Sequence, residues 1–204
     1  MKKLISAIFA AAMAFAAAAS TGGYFQLAVF APGQLPSSAS DITGARLSLV
    51  YGDCQTLTGL DLSLAGRVRE RMKGLQLGLC HRVGTDAHGV ELGIWNLIDS
   101  DITGVQLALA NTVGGPASGL QLGLLNTAEQ LSGVELAAVN LTEKAHGLQA
   151  GVWNDGGEVC GVQLGLVNIA ESVCGVQLGL VNRISSQYLG SWQVWFTPFI
   201  NAGW

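Results

Sequence analysis

Apolar and polar residues alternate along most of this chain, and the alternation itself repeats. The block Gly-Val-Gln-Leu-Gly-Leu-Val-Asn runs from Gly161 to Asn168 and again from Gly175 to Asn182. Relaxed copies begin at Gly44, Gly59, Gly74, Gly89, Gly104, Gly119, Gly133 and Gly147. The first five steps between these glycines are 15 residues and the last four are 14. Self-similarity at a fixed short period marks a repeat architecture, in which each copy buries its apolar side only against its neighbours.

Within a copy the period is two, which is that of a strand. Counting from the glycine, the second residue is Val or Leu except for Ala45, and the fourth is Leu except for Ala150. The third is Gln or Glu in eight copies, with Arg46 and Asp61 in the first two. The eighth is Asn in seven: Asn96, Asn111, Asn126, Asn140, Asn154, Asn168 and Asn182. A helix is disfavoured, because no stripe of period 3.6 survives and each glycine would cost about 1 kcal/mol in a helix. Polar turn residues follow the Asn. An aliphatic residue then usually stands two places before the next glycine, as at Ile42, Leu57, Met72, Ile102, Leu131, Val159 and Val173. Each repeat therefore reads as one long strand, a turn and a short return.

Two assemblies fit. The first is an all-β solenoid with one 14–15-residue coil per repeat, equivalent residues stacked at about 4.8 Å. Val and Leu then fill a narrow interior, Asn stands at a corner where its amides bond along the axis, and the Gln positions form a ladder on the other face. The second is an up-and-down antiparallel β-barrel, for which export and an aromatic last residue, Trp204, speak. Three features favour the solenoid. The connections change length only once, the apolar band is short for a bilayer, and Cys160 and Cys174 occupy the same place in consecutive repeats. In stacked coils those cysteines come within about 5 Å, near disulfide geometry.

The rest of the chain divides around this array. Residues 1–20 have Lys2 and Lys3, then an apolar run from Leu4 to Ala19, and read as a signal peptide cut near Ala19 or Ser20. Residues 21–43 hold a degenerate copy, Tyr24 to Ala31, and a Pro-containing linker. The array spans 44–187. Residues 188–204, with Trp192, Trp195, Phe196, Phe199 and Trp204, read as an aromatic cap over the last coil, Phe199-Ile200-Asn201 resembling a worn repeat ending. The net charge of −4 argues against a nucleic-acid partner, which requires a basic face.

Tandem GVQLGLVN and GLQLGLLN blocks, the opening FQLAVFAP and TGARLSLVYG, and the ending PFINAGW resemble the leptospiral-type surface-repeat proteins of Gram-negative bacteria. The resemblance spans nearly the whole chain after the leader. It implies an exported or surface-associated protein and brings no established activity. Some members look like lipoproteins, but no Cys follows the leader here.

Candidate chemistry is sparse. There is no C-x-x-C, P-loop, G-x-S-x-G or H-E-x-x-H, so no catalytic, cofactor or metal site is expected. Cys160 and Cys174 are the candidate disulfide; Cys54 and Cys80 stand at non-equivalent positions. Glu91 and Glu135, three repeats apart, are too distant for paired acid–base work and read as members of the polar ladder. The Arg67–Lys73 stretch is the one basic cluster. The candidate binding strip is Gln76, Gln106, Gln121, Gln149, Gln163 and Gln177 with Trp95 and Trp153 at its edge, suited to a glycan or a protein, or else simply the far side of a thin sheet. The expected function is a non-catalytic structural or interaction role in the periplasm, at the outer membrane or on the cell surface. The alternatives are an outer-membrane barrel or a polysaccharide-acting β-helix enzyme.

Overall fold

The computed structural model describes residues 23–30, 33–35, 40–185, 188–189, 192–193 and 197–203. The expected signal peptide, residues 1–20, and Trp195, Phe196 and Trp204 of the expected cap lie outside them.

The array is a β-solenoid. Neighbouring coils run parallel and in register: Leu164 lies beside Leu178, Gln163 beside Gln177 and Cys160 beside Cys174. The same pairing holds from Gly44↔Gly59 through Gly104↔Gly119 to Gly161↔Gly175. The antiparallel barrel is thereby excluded. The Gly23–Phe30 strand adds a row at the N-terminal end, pairing parallel with the first coil through Phe25↔Ala45 and Leu27↔Leu47.

Both ends carry an antiparallel strand. Gly33–Leu35 folds back on Gly23–Phe30 through Leu27↔Leu35. Thr197–Gly203 crosses the last coil through Leu178↔Ile200 and Gln177↔Asn201. This reversed direction corrects the expected worn repeat: Asn201 takes up the glutamine column, not the asparagine one. Phe199 stands exposed at φ 69° rather than covering the coil.

All ten first-position glycines have φ between 128° and 147°, a region that residues with a Cβ rarely enter. A Cβ on Gly161 would lie 2.0 Å from the carbonyl oxygen of Gly147 below it. Close stacking of coils at a left-handed kink explains why no other residue stands there.

The structure inverts the expected faces. Inside each coil lie the third and eighth positions, together with two apolar columns. One apolar column is the residue two places before the glycine, such as Ile42, Leu57, Met72 and Ile102. The other comprises Cys54 and its register partners Val68, Val83, Ile98, Val113 and Ala128. These form two buried clusters, one through the first six coils and one through the last four. The Leu columns at the fourth and sixth positions point to solvent. With only 14–15 residues per coil, a cross-section filled by three branched side chains from one strand leaves no room for the return. Thinner amides and small residues fit instead.

Candidate functional site

The expected binding strip is not a surface. Gln76, Gln106, Gln163 and Gln177 are wholly buried, and Gln121 and Gln149 nearly so. They bond to one another along the axis: Gln121 Nε2 donates to Gln106 Oε1 at 2.7 Å, and Gln177 Nε2 to Gln163 Oε1 at 2.7 Å. Each amide here donates toward the N-terminal end, and Asn201 continues the chain by donating to Gln177 at 3.3 Å.

The asparagine column runs the other way. Asn126 Nδ2 donates to Asn140 Oδ1 at 3.1 Å, Asn140 to Asn154 at 2.8 Å and Asn154 to Asn168 at 2.8 Å. The second N–H of several reaches a backbone carbonyl near the bend, as from Asn168 to Leu178 O at 2.9 Å. That carbonyl already accepts the Gly165 N–H at 3.0 Å, so the amide adds a second donor to it. The two ladders therefore point their amide dipoles oppositely inside one narrow core. The corner role expected of Asn stands, and His81 takes it in the third coil, meeting Asn96 at 3.3 Å.

Charged groups enter the ladders at a few rungs. Arg46 and Asp61 form a fully buried ion pair, Nε to Oδ1 at 2.8 Å with a second, shorter contact. Arg46 also donates to Cys54 Sγ and Arg67 O. Burial opposes the Arg46 charge, but Asp61 outweighs it and holds the guanidinium pKa above its ordinary value. Burial pushes the Cys54 thiol up to about 12 despite Arg46. Burial likewise raises Glu91 to about 7, opposed by a hydrogen bond from Gln106. Glu135 is raised for the same reason, opposed by Gln149 and Thr142. His81 is lowered by burial.

The surface is divided. The second, fourth and sixth positions of all ten repeats are Val, Leu, Ile or Ala without exception, and all point outward. The outer pair is the more exposed: Leu47, Leu62, Leu107, Leu136, Leu164 and Leu178 stand at 36–39%, and Leu49, Leu109, Leu124 and Leu180 at 54–58%. Phe25, Leu27 and Val29 extend these columns at one end, Ile200 and Ala202 at the other. The result is a wall twelve rows long with no ionisable side chain in its three columns. Trp95 and Trp153 stand just around its edge at 53% and 41% exposure, in the column that also holds Cys80.

The opposite side is polar. Arg69, Arg71 and Arg82 pair there with Asp53, Asp86 and Asp99, so two of the four cations of the Arg67–Lys73 cluster are engaged in local ion pairs. A groove of about 820 Å³ runs beside Glu143, Asp155, Glu158 and Glu171, where Gly156 and Gly157 thin the coil. Among the described residues no group of His, Cys, Asp and Glu side chains is placed to hold a metal ion.

Cys160 and Cys174 are brought together as expected, in register on the outer surface, with both thiols free. Their mutual hydrogen bond, with some help from burial, raises the Cys160 pKa. The buried amides carried no sequence signal of their own, since a strand face of Gly and Gln reads as the wet side by composition. The signal was joint: Gln and Asn at fixed positions in the same short coil. No family model matches the chain, and neither a curated protein nor a solved structure does.

Proposed function

We propose that this chain is a non-catalytic, exported repeat protein of the bacterial envelope, with a structural or interaction role carried out through its apolar wall. The wall carries the reading. An all-parallel sheet is ordinarily covered on both faces, and here one face carries three aliphatic columns and no charge. Contiguous exposed apolar areas beyond a few hundred Å² mark surfaces that work by being covered. The leader-like Lys2–Ala19 stretch and the resemblance to surface-repeat proteins support export to the periplasm, outer membrane or cell surface. Against an enzyme stands the monotony of the array, whose outward columns repeat one residue type instead of gathering unlike groups. Glycan recognition through the glutamines loses its basis, because those amides are sealed inside.

The test is fractionation of a tagged chain in a Gram-negative host, alongside a form lacking residues 1–20. The full chain is expected in the envelope fractions and the truncated one in the cytoplasm. Equal retention of both in the cytoplasm overturns the export reading.

A further inference from the structure

Resting on the reading of the wall as an interaction surface, we propose that its occupant is a second copy of this chain, packed face to face with the solenoid axes antiparallel. Three observations lead there.

The first is area. Twelve rows at about 4.8 Å make the wall about 53 Å long, and its three columns with their side chains span about 15 Å. That gives about 800 Å² per copy, the amount each partner contributes to a standard stable interface. Flat aliphatic sheets of this kind pack at about 10 Å, as in a β-sandwich.

The second is charge. Leaving out the buried Arg46, Asp61, Glu91 and Glu135, residues 40–88 carry five Lys and Arg against four Asp and Glu, whereas residues 89–185 carry two against seven. Parallel packing would set the two acidic halves against each other. Antiparallel packing sets each acidic half over its partner's near-neutral one, and because the charges lie on the sides away from the wall this acts as a long-range bias on orientation, strongest at low salt.

The third is closure. The two edges of the stack are a three-residue strand, Gly33–Leu35, and a strand carrying Pro198, Thr197–Gly203, features that blunt end-to-end pairing. The uncovered face is the broad one. A two-fold axis lying in the wall, across the coils, makes the contact self-complementary and closed. The axis passes between the fifth and sixth coils, so each row meets its counterpart counted from the other end. Leu79 of the third coil then faces Val152 of the eighth, both in the sixth-position column.

Sedimentation equilibrium of the purified protein, without detergent, tests this. The expected species is a dimer. Leu79→Lys and Val152→Glu each bury an unpaired charge and are expected to raise the dissociation constant by about tenfold or more. Leu79→Lys/Val152→Glu together are expected to recover most of that loss. The two sites lie five coils apart, so no pairing within one chain can mimic the rescue. Thr103→Lys, beside the wall but outside its columns, should leave the dimer intact. Circular dichroism confirms folding of each variant. Monomeric wild-type protein, or a double variant no better than the singles, overturns the antiparallel dimer. Flotation of wild-type but not Leu79→Lys protein with phosphatidylcholine vesicles, without dimerisation, also overturns it and leaves the wall as a lipid-facing surface. A monomer whose wall binds neither a copy nor vesicles removes the support for the interaction reading as well.

Discussion

Gln76 and Glu91 stand side by side in paired strands, and the Oε1 of each is buried without a hydrogen-bond partner. Elsewhere in the column each amide nitrogen donates to the oxygen of the coil before it, as Gln106 does to Glu91 Oε2 at 3.0 Å. An ionised carboxylate cannot pass a donor on, so the ladder breaks at this rung. The second break has the same form: Gln121 Oε1 is buried without a partner, and Glu135 stands beside it. A protonated carboxyl carries the missing O–H, which is also the form that burial favours.

Folding raises Glu91 from 4.5 to about 7, so its protonated form contributes stability fully below pH 4.5. That contribution is lost as pH rises toward 7 and beyond. Glu91→Gln supplies the donor at every pH. It is expected to equal the parent near pH 4 and to exceed it at pH 8 by about 3 kcal/mol. Paired denaturant titrations at the two pH values measure this. An equal gain at both would show that Glu91 does not titrate in the ladder.

The first-position glycines are a separate case, since their constraint is steric. At Gly119 φ is 128° and a Cβ would sit 2.0 Å from Gly104 O. Gly119→Ala must open the stack between two coils as well as enter a strained region. The expected cost exceeds about 3 kcal/mol, read as a lowered midpoint in thermal unfolding. A neutral substitution there would mean the coils are less tightly stacked than the Gly–Gly contact requires.

The stacked architecture was legible because the constraints that produce it recur. A 14- or 15-residue period, a constant glycine and cysteines at matching places all favour like sitting on like, though they left an antiparallel barrel open. The Asn corner was legible for the same reason, since an amide repeating at one position suggests a ladder. What could not be read was which side of the strand faces in. Hydrophobicity assigns Leu164 and Leu166 to a core and Gln163 to water, and that rule assumes a core wide enough for branched side chains. In a coil this short, Gln163 bonded at 2.8 Å to Gln149 fits where leucines from two strands would collide. The apolar core instead came from Leu57, Val68 and their like, on the short segments between the repeat blocks. The antiparallel ends were hidden too, because Asn201 matches the wrong column when the strand is read in the forward direction.

The asparagine column predicts a loss that a volume-based view would miss. Asn140 accepts from Asn126, donates to Asn154 and donates to Ala150 O at 3.1 Å. Asn140→Leu keeps the count and branching of heavy atoms, though its methyls are bulkier than the amide, and it removes the hydrogen bonds to all three partners in a buried space. Each unsatisfied buried group costs about 1–3 kcal/mol, so destabilisation of about 3 kcal/mol or more is expected in urea titration. Asn140→Leu as stable as the parent would show that the amide ladder is incidental and that the small apolar columns hold the coils together.

The four thiols should separate by environment. Cys54 is buried against Arg46 and pushed up to about 12, so at pH 8 it is almost entirely the unreactive thiol. Cys80 is exposed at the edge of the wall and should be alkylated by iodoacetamide in the folded protein, with Cys54 labelled only after unfolding. Cys160 and Cys174 are paired in register on the surface, close enough for Cys174 to raise the Cys160 pKa. Mild oxidation with a small disulfide such as oxidised glutathione should exchange both sulfurs into one internal bond, releasing two equivalents of the reduced thiol and closing a 15-residue loop. Such a loop stabilises by about 3 kcal/mol in the chain-entropy account, seen as a higher unfolding midpoint that dithiothreitol reverses. Cys160→Ser should abolish the shift without changing the midpoint of the reduced protein. Oxidation that instead yields a mixed disulfide on Cys174 alone would mean that the coils hold these two side chains in an orientation the bond cannot span.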